Sequence, residues 1–404
     1  MALDFSAVAS QLTHLIPSLR RSVDEKRRQL EQALPLLRGE RMGWEALSEL
    51  LEARRDLLSF TLPAQLIEDP SSHYPSPSRT SDYTVVATDG SQIELDRHAP
   101  APCYVVNLGQ VVLSYGSVPR ARLSSKAKVS LAGGLDDDPE VMGNEAVREE
   151  YDRVLIDLER AVAEAEGLQA LAESEVTPEF TLALLDGSLI LWTASAGRNQ
   201  NDTAPYLREY LASLEALRRL ALHRPLAVAS YISYPGSAEV VNALRVAFCS
   251  PDKGYCQANC QERKGRTCEA QVDRLLDRDL FAFLAPGERS AVFASRPRVM
   301  ERYLPPENRV QFFYLNAGPE IARIEVPAWV AEDRSLLDTT HAAVYDQCQR
   351  NFGYPVALME AHEQAVVSDT DRRTFWQMIY QHLTDAALPT SESAKSASKR
   401  LPWS

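Results

Sequence analysis

The sequence predicts an α/β protein in which a mixed sheet is flanked by helices, with an N-terminal helical arm and a cysteine-rich insert. Two observations carry this expectation. Short apolar strands follow one another from Tyr83, and from about residue 145 helices alternate with strands, a succession that layers helices on a sheet. In addition, "TLALLDGSLILW" (181–192) ends an apolar run on Asp-Gly-Ser, and "YTVVATDGSQIEL" (83–95) does the same nearly a hundred residues earlier. The chain of 404 residues, 45% hydrophobic and 8% aromatic, is long enough for a sizeable core.

The elements follow in order. Residues 1–60 read as a helical arm, because "LTHLIPSLRRSVDEKRRQLEQAL" and "WEALSELLEARRDLLSF" carry apolar positions three and four apart among charged ones. Residues 61–82 include "IEDPSSHYPSPSRTSDY", which gathers Pro, Ser and Asp without periodicity and reads as a linker. The main domain then spans 83–384. "YTVVATD", "CYVVNLG", "QVVLSYG" and "AKVSLAG" suggest a strand meander joined by Gly-containing turns. A long helix over about 145–173 precedes the strand "TLALLD". Beyond it the pattern predicts helix 204–222, strand "LAVASYI", helix 237–248, the insert 249–268, and helix 270–284. Strands "SAVFAS", "VQFFYLN" and "IARIEVP" come next, then helices over about 335–384. The tail 385–404 reads as disordered.

Composition narrows the function classes. A formal charge of −13 argues against a stand-alone nucleic-acid binder, since Lys and Arg neutralising phosphate supply most non-specific affinity. A nucleic-acid role would need a local basic channel or a partner. No apolar run approaches a membrane span, and "MALDFSAVAS" lacks the basic and apolar blocks of a signal peptide, so a cytoplasmic location with no membrane contact is expected.

Each Asp-Gly-Ser places its Asp at an apolar strand end, where α/β sheets usually bind ligands. Gly90 and Gly187 would let the backbone turn and a ligand approach, while Ser91 and Ser188 could hold the carboxylates. Asp-Gly is also a common turn dipeptide, which is the plain alternative. If adjacent strands bring Asp89 and Asp186 within about 4 Å, their repulsion is on the order of 4 kcal/mol at an effective dielectric near 20. Such a pair wants a shared proton or a cation. The aspartic proteases use the first solution, but with Gly third in the motif rather than second. A hard cation, Mg²⁺ or Mn²⁺, accepts carboxylates and keeps positions for phosphate oxygens and water, as phosphodiester hydrolysis requires.

Toward the C-terminus, "NFGYPVALMEAHEQAVV" (351–367) starts a helix, with Gly353 in the preceding turn and Pro355 at the first helical position. Tyr354 then sits at the helix mouth and His362 two turns in. His362 is alternatively a core histidine, four residues after Leu358 and four before Val366. The insert "CSPDKGYCQANCQERKGRTC" offers Cys249, Cys256, Cys260 and Cys268, a set that can hold structural Zn²⁺ or an iron–sulfur cluster, or remain as reduced thiols.

"ATDGSQI", "LLDGSLILW" and "GYPVALMEAHEQA", in this order and with this spacing of Tyr354 and His362, resemble the NurA nuclease family. The resemblance implies an RNase H-like core and Mn²⁺-dependent cleavage of single- and double-stranded DNA, as 5′ to 3′ exonuclease and endonuclease. It also implies a homodimer working with a hexameric HerA-like ATPase and translocase in DNA end resection and repair. By resemblance Asp89 and Asp186 are metal ligands, and Tyr354 and His362 are the C-terminal pair at the site. The family also carries a Glu on the helix before the second Asp strand, for which Glu149, Glu150, Glu159, Glu164 and Glu166 compete. A strand of about five residues spans roughly 17 Å, covered by about eleven helical residues, and counting back from Glu173 gives position 162. Glu159 and Glu164 bracket it; Glu164, which flanks Ala161, Ala165, Leu168 and Leu171, ranks first. Two other readings stand beside the nuclease: a catalytically silent adaptor of a HerA-like translocase, and an aspartyl hydrolase whose activity would survive EDTA.

Overall fold

The computed structural model describes residues 4–54, 62–78, 82–95, 101–131, 145–196, 200–249, 271–297 and 305–388, without the side chains of 145–151, 195–196 and 200–201. Its centre is a mixed sheet in the order β1-β9-β10-β11-β7-β6-β3-β4-β5, with β8 pairing β10 and β2. The long strands are β3 (Tyr83–Ile93), β4 (Cys103–Tyr115), β5 (Arg120–Leu131), β6 (Phe180–Asp186), β7 (Leu226–Ile232), β10 (Val310–Asn316) and β11 (Ile321–Pro327). β3, β6 and β7 run parallel, and the rest pair antiparallel.

Central parallel strands are buried on both faces, which is why "FTLALLD" reads as an unbroken apolar run rather than an alternation. Its Leu182 and Leu184 face one layer, while Ala183 and Leu185 face the other. The first layer is built on α6 (Arg334–Gln349) and α7 (Val356–Ala365). On the second face α3 (Glu145–Ser174) packs Leu158, Val162, Ala165, Leu168 and Ala172, spaced three and four apart, beside α4 (Gln200–Ala221). The same face continues under α1 (Phe5–Leu37), α2 (Trp44–Ala53) and α5 (Glu239–Arg245). The last helix, α8 (Asp369–Asp385), starts from a capping box on Ser368 and Asp371 and buries none of its residues. Among the described residues no helix is long and apolar enough to cross a membrane.

Several expectations change. "CYVVNLG" and "QVVLSYG" are one strand, β4, without a turn at Gly109. Gly109 is there for close approach: a Cβ would fall on the carbonyl oxygen of Ala361 and lie 2.7 Å from the nitrogen of Ala365, both backbone atoms of α7. Asn107 fixes the same helix by donating to the carbonyl of Ala365 at 2.8 Å. Gly109→Ala is therefore expected to destabilise the protein by about 3 kcal/mol, read by denaturant unfolding, because a helix backbone rather than a side chain must move.

The segment expected as a linker supplies two sheet-edge strands, β1 (Gln65–Leu66) on β9 (Phe293–Ala294) and β2 (His73–Tyr74) on β8 (Arg289–Ser290). "SAVFAS" is accordingly split into β8 and β9, because Ala291 donates to the Ser72 carbonyl at 2.9 Å and Val292 to the Glu68 carboxylate at 2.8 Å. Helix 270–284 reduces, in its described part, to one turn at Asp277–Leu280. Asp277 instead accepts from the Val241 backbone at 2.8 Å and the Tyr314 hydroxyl at 2.7 Å, and Asp279 accepts from Leu276. Carboxylates engaged in this way favour turns over helix interior. Cys256, Cys260, Cys268 and the tail from residue 389 lie outside the described residues.

Candidate active site

β3 and β6 are neighbours, and their register ends on Thr88 opposite Leu185, so Asp89 and Asp186 follow at the same level of the sheet. Counting by twos from Val85 and Ala87, and from Leu182 and Leu184, puts both carboxylates on the α6 and α7 face. The two motifs are built differently. Asp186 closes β6, and Gly187 makes the turn with φ +80°. Asp89 lies inside β3, which continues unbroken through Gly90 and Ser91 to Ile93, so the first motif is not a turn.

Gly90 points to the other face, where a Cβ would lie 2.6 Å from both the Glu164 carboxylate and the Arg160 side chain. Its missing side chain leaves room for the Glu164 carboxylate, on α3, which comes near enough for the Asp89 and Asp186 charges to raise its proton affinity. Thr88 secures α3 there by donating to the Glu164 carbonyl at 2.9 Å. The glycine amides, not the serines, hold the Asp carboxylates: Gly90 donates to Asp89 at 2.8 Å and Gly187 to Asp186 at 3.0 Å. Ser91 donates instead to the Ala365 carbonyl, and Ser188 donates to Glu325 at 2.9 Å.

α7 brings in the remaining groups. His362 is 63% exposed, not a core histidine, and its Nδ1 lies 2.8 Å from Asp89 Oδ2. Tyr354, two residues before Val356, hydrogen-bonds the Asp186 carboxylate. Its ring meets Tyr231 edge-on at 5.4 Å, and Tyr231 is the register partner of Asp186 on β7. Pro355 caps the helix rather than occupying its first position.

Glu159 does not join this group. It accepts from Tyr104 and, at 3.1 Å, from Ser130, and pairs with Lys128 at 2.9 Å, against the β4–β5 ribbon. Burial pushes its carboxyl up, but these donors and the Lys128 charge outweigh burial and hold it below the usual range. Five helical residues turn about 500°, so Glu159 and Glu164 face different ways on α3.

The electrostatics of the assembled group are those of charge in excess. Burial pushes the Glu164 carboxyl up to about 8; Asp89 and Asp186 add to the rise, and the Arg160 charge and the Gly90 amide oppose it. Desolvation, then the Asp89 charge, push Asp186 up, against the Tyr354 hydroxyl and the Gly187 amide. Burial and the Asp186 charge likewise raise the Tyr354 hydroxyl. Among the described residues no three His, Cys, Asp or Glu side chains are already gathered closely enough to hold a metal ion. The donor set nevertheless fits a hard divalent cation: three carboxylates, two of them resisting ionisation through burial and neighbouring negative charge, beside one imidazole.

Two residues at this site escaped the sequence reading. Arg160 lies 3.7 Å from Glu164 one turn earlier on α3, a spacing that was legible. Glu325, buried in β11, accepts from the Ser188 hydroxyl and, at 2.8 Å, from the Leu189 amide, and so pins the turn after Asp186. Charged residues alternating with apolar ones in "IARIEVP" were its signal.

A family model, the NurA domain, matches residues 83–367, more than half of the chain. Among solved structures, the NurA nuclease from Sulfolobus solfataricus is similar over 78% of this chain and 88% of its own, with 12% identity and a TM-score of 0.43. LC9-RNase H1, a type 1 RNase H with the type 2 active-site motif, is similar over 48% of this chain and 87% of its own, with 10% identity and a TM-score of 0.20. No curated protein sequence matches the chain significantly.

Proposed function

Because the chain belongs to the NurA family, we propose that it is a metal-dependent deoxyribonuclease with an RNase H-like core, acting in the cytoplasm on single- and double-stranded DNA ends. The observation that carries this reading is the approach of Glu164, in the room left by Gly90, to within electrostatic reach of Asp89 and Asp186, beside His362 and Tyr354. Carboxylates from both faces of a sheet, with Glu164 and Asp186 held at raised proton affinity, suit a cation.

In this reading Asp89, Asp186 and Glu164 hold Mn²⁺ or Mg²⁺, which when bound would neutralise charge on the scissile phosphate and make an attacking water more acidic. Asp89 orients His362 through Nδ1, leaving Nε2 free to face the departing oxygen as a proton donor. Tyr354, tied to Asp186, fixes that carboxylate and orients the strand. The chain acts as a homodimer with a hexameric HerA-like translocase, whose DNA feed compensates for the protein's acidic charge. The products are those of 5′ to 3′ exonuclease and single-strand endonuclease action in end resection.

The test is incubation of 5′-labelled single- and double-stranded DNA with the full chain and Mn²⁺, alone and with the translocase. Cleavage abolished by EDTA and restored by added Mn²⁺ is expected. Intact DNA in every arm, translocase included, would favour the silent adaptor, and cleavage that survives EDTA would exclude the metal.

A further inference from the structure

We propose that Phe352 is a stacking platform for an unpaired base of the DNA strand at the mouth of the candidate active site; the inference rests on the nuclease reading above. Phe352 leaves 97% of its surface exposed, so both faces of its ring are open. Water disfavours so large an apolar ring left uncovered. The backbone is costly as well: φ is +45°, a left-handed conformation in which a bulky side chain is an outlier. Helices commonly pass through this region just beyond their ends, but on Gly or Asn. Here, beyond the end of α6, Asn351 and Gly353 flank the position and Phe occupies it. Strain of this kind persists only where the surroundings impose it, and it gathers at functional sites.

The surroundings do impose it. The Gly353 amide donates to the Cys348 carbonyl at 2.9 Å and the Tyr354 amide to the Asn351 carbonyl at 2.9 Å, so the chain is tied across Phe352. From the sheet the Tyr231 hydroxyl donates to the Gly353 carbonyl at 3.0 Å and to Glu320 at 2.9 Å, and Gly353 lies so close to Pro319 that a Cβ has no room. These anchors are also parts of the candidate site. Tyr231 is the register partner of Asp186, its ring meets that of Tyr354, and Tyr354 hydrogen-bonds the Asp186 carboxylate. Phe352 lies in the loop joining α6 and α7, the two helices on the sheet face to which Asp89 and Asp186 point. Two residues separate it from Tyr354, at most about 7 Å of chain, comparable to two steps of a stacked strand. A strand with a phosphate at the two Asp residues therefore passes the ring within a nucleotide or two of the cut.

The chemistry suits a base rather than a phosphate. A Phe ring offers no charge and no donor, only a flat π-face, and every base has a matching one. In a chain of formal charge −13, attraction to phosphate supplies little of the grip on a strand, whereas stacking is indifferent to net charge. Rigidity helps, because a ring carried on a tied backbone loses little freedom when a base settles on it. Stacking does not distinguish the four bases, so the platform selects an unpaired strand rather than a sequence; a base inside a duplex does not reach it.

The experiment reads binding and cleavage separately. Fluorescence anisotropy of a labelled single strand, with Ca²⁺ in place of Mn²⁺, reads binding, and a single abasic residue is walked along the strand in both assays. With wild type, one abasic position near the cut is expected to weaken binding about tenfold, the order of a lost base stack. Phe352→Ala should bind the intact strand about tenfold more weakly and show no further abasic penalty. Its salt dependence should match wild type, because no phosphate contact is removed. Phe352→Trp should restore both the affinity and the abasic penalty. Phe352→Gly should lose the stack yet melt no lower than wild type, since Gly relieves the left-handed backbone. If Phe352→Ala binds and cleaves like wild type, or keeps the abasic penalty, the platform is wrong. Normal handling of bare DNA with loss of stimulation by the translocase would give the ring to that partner instead, and normal binding by a Phe352→Gly protein that melts lower would give it to the fold. Each of these outcomes leaves the nuclease reading standing. Wild type that neither binds nor cleaves any strand, translocase included, sinks that reading and the platform with it.

Discussion

Asp186→Asn is expected to lower DNA cleavage at least about a thousandfold while leaving the metal-free melting temperature within about one degree of wild type. Loss of activity with folding intact is what separates a ligand from a turn residue. Asn keeps an oxygen that accepts from the Gly187 amide, and its amide can donate to the Tyr354 hydroxyl in place of the bond that hydroxyl gave to the carboxylate. Neutralising the side chain also relieves repulsion from Asp89, but Asp186 faces solvent at the strand end, so screening keeps that gain small. Thermal melts with and without Mn²⁺ complete the test. Wild type should gain stability from the ion by mass action and the variant should gain far less. A variant that still cleaves at near wild-type rate, or that gains as much stability from Mn²⁺, removes Asp186 from the site.

Which residues gather at the candidate site was more legible than the framework around it, for identifiable reasons. Asp186 could be found because β6 is a buried parallel strand that ends on the first charge after an apolar run. Asp89 was found by analogy with it, yet the analogy gave the wrong backbone, since Gly90 reads identically whether glycine makes a turn or a close approach. Gly109 misled for the same reason. Glu164 over Glu159 followed from the apolar stripe of α3, because helical periodicity fixes which face a residue occupies even when the helix ends are uncertain. His362 lay beyond periodicity altogether: its place depends on α7 crossing β3 and β4, a tertiary fact set by Gly109, Asn107 and Ser91 together. Local rules failed similarly in the described part of 270–284, where the Asp277 carboxylate accepts from the distant Val241 amide, and at 290–295, where the distant Glu68 carboxylate takes the Val292 amide.

Glu164→Gln is expected to cost most of the activity and yet stabilise the metal-free protein at alkaline pH. The Glu164 carboxyl is raised from an ordinary value of 4.5 to about 8, so the folded chain binds this proton more tightly than the unfolded one. Below about pH 4.5 both states are protonated and the stabilising effect of the proton is complete. As pH rises through 8 the unfolded chain ionises first, and stability falls by at most about 1.4 kcal/mol per pH unit. The total is on the order of 2 to 4 kcal/mol, trimmed from the full shift because the side chain is 19% exposed and Arg160 lies nearby. Gln mimics the protonated carboxyl, so this slope should vanish in the variant and its unfolding midpoint at pH 8 should exceed that of wild type. Added Mn²⁺ should reverse the order, because a cation that favours the carboxylate stabilises wild type alone. Glu159→Gln is the informative contrast. Its carboxyl is held low by Tyr104, Ser130 and Lys128, so its contribution is present above the ordinary Glu range and lost as pH falls. That variant should be less stable at neutral pH and cleave DNA normally. Parallel pH–stability curves for wild type and Glu164→Gln would mean that Glu164 is ionised beside the two Asp residues, and the charge-excess argument for a cation would fall with it.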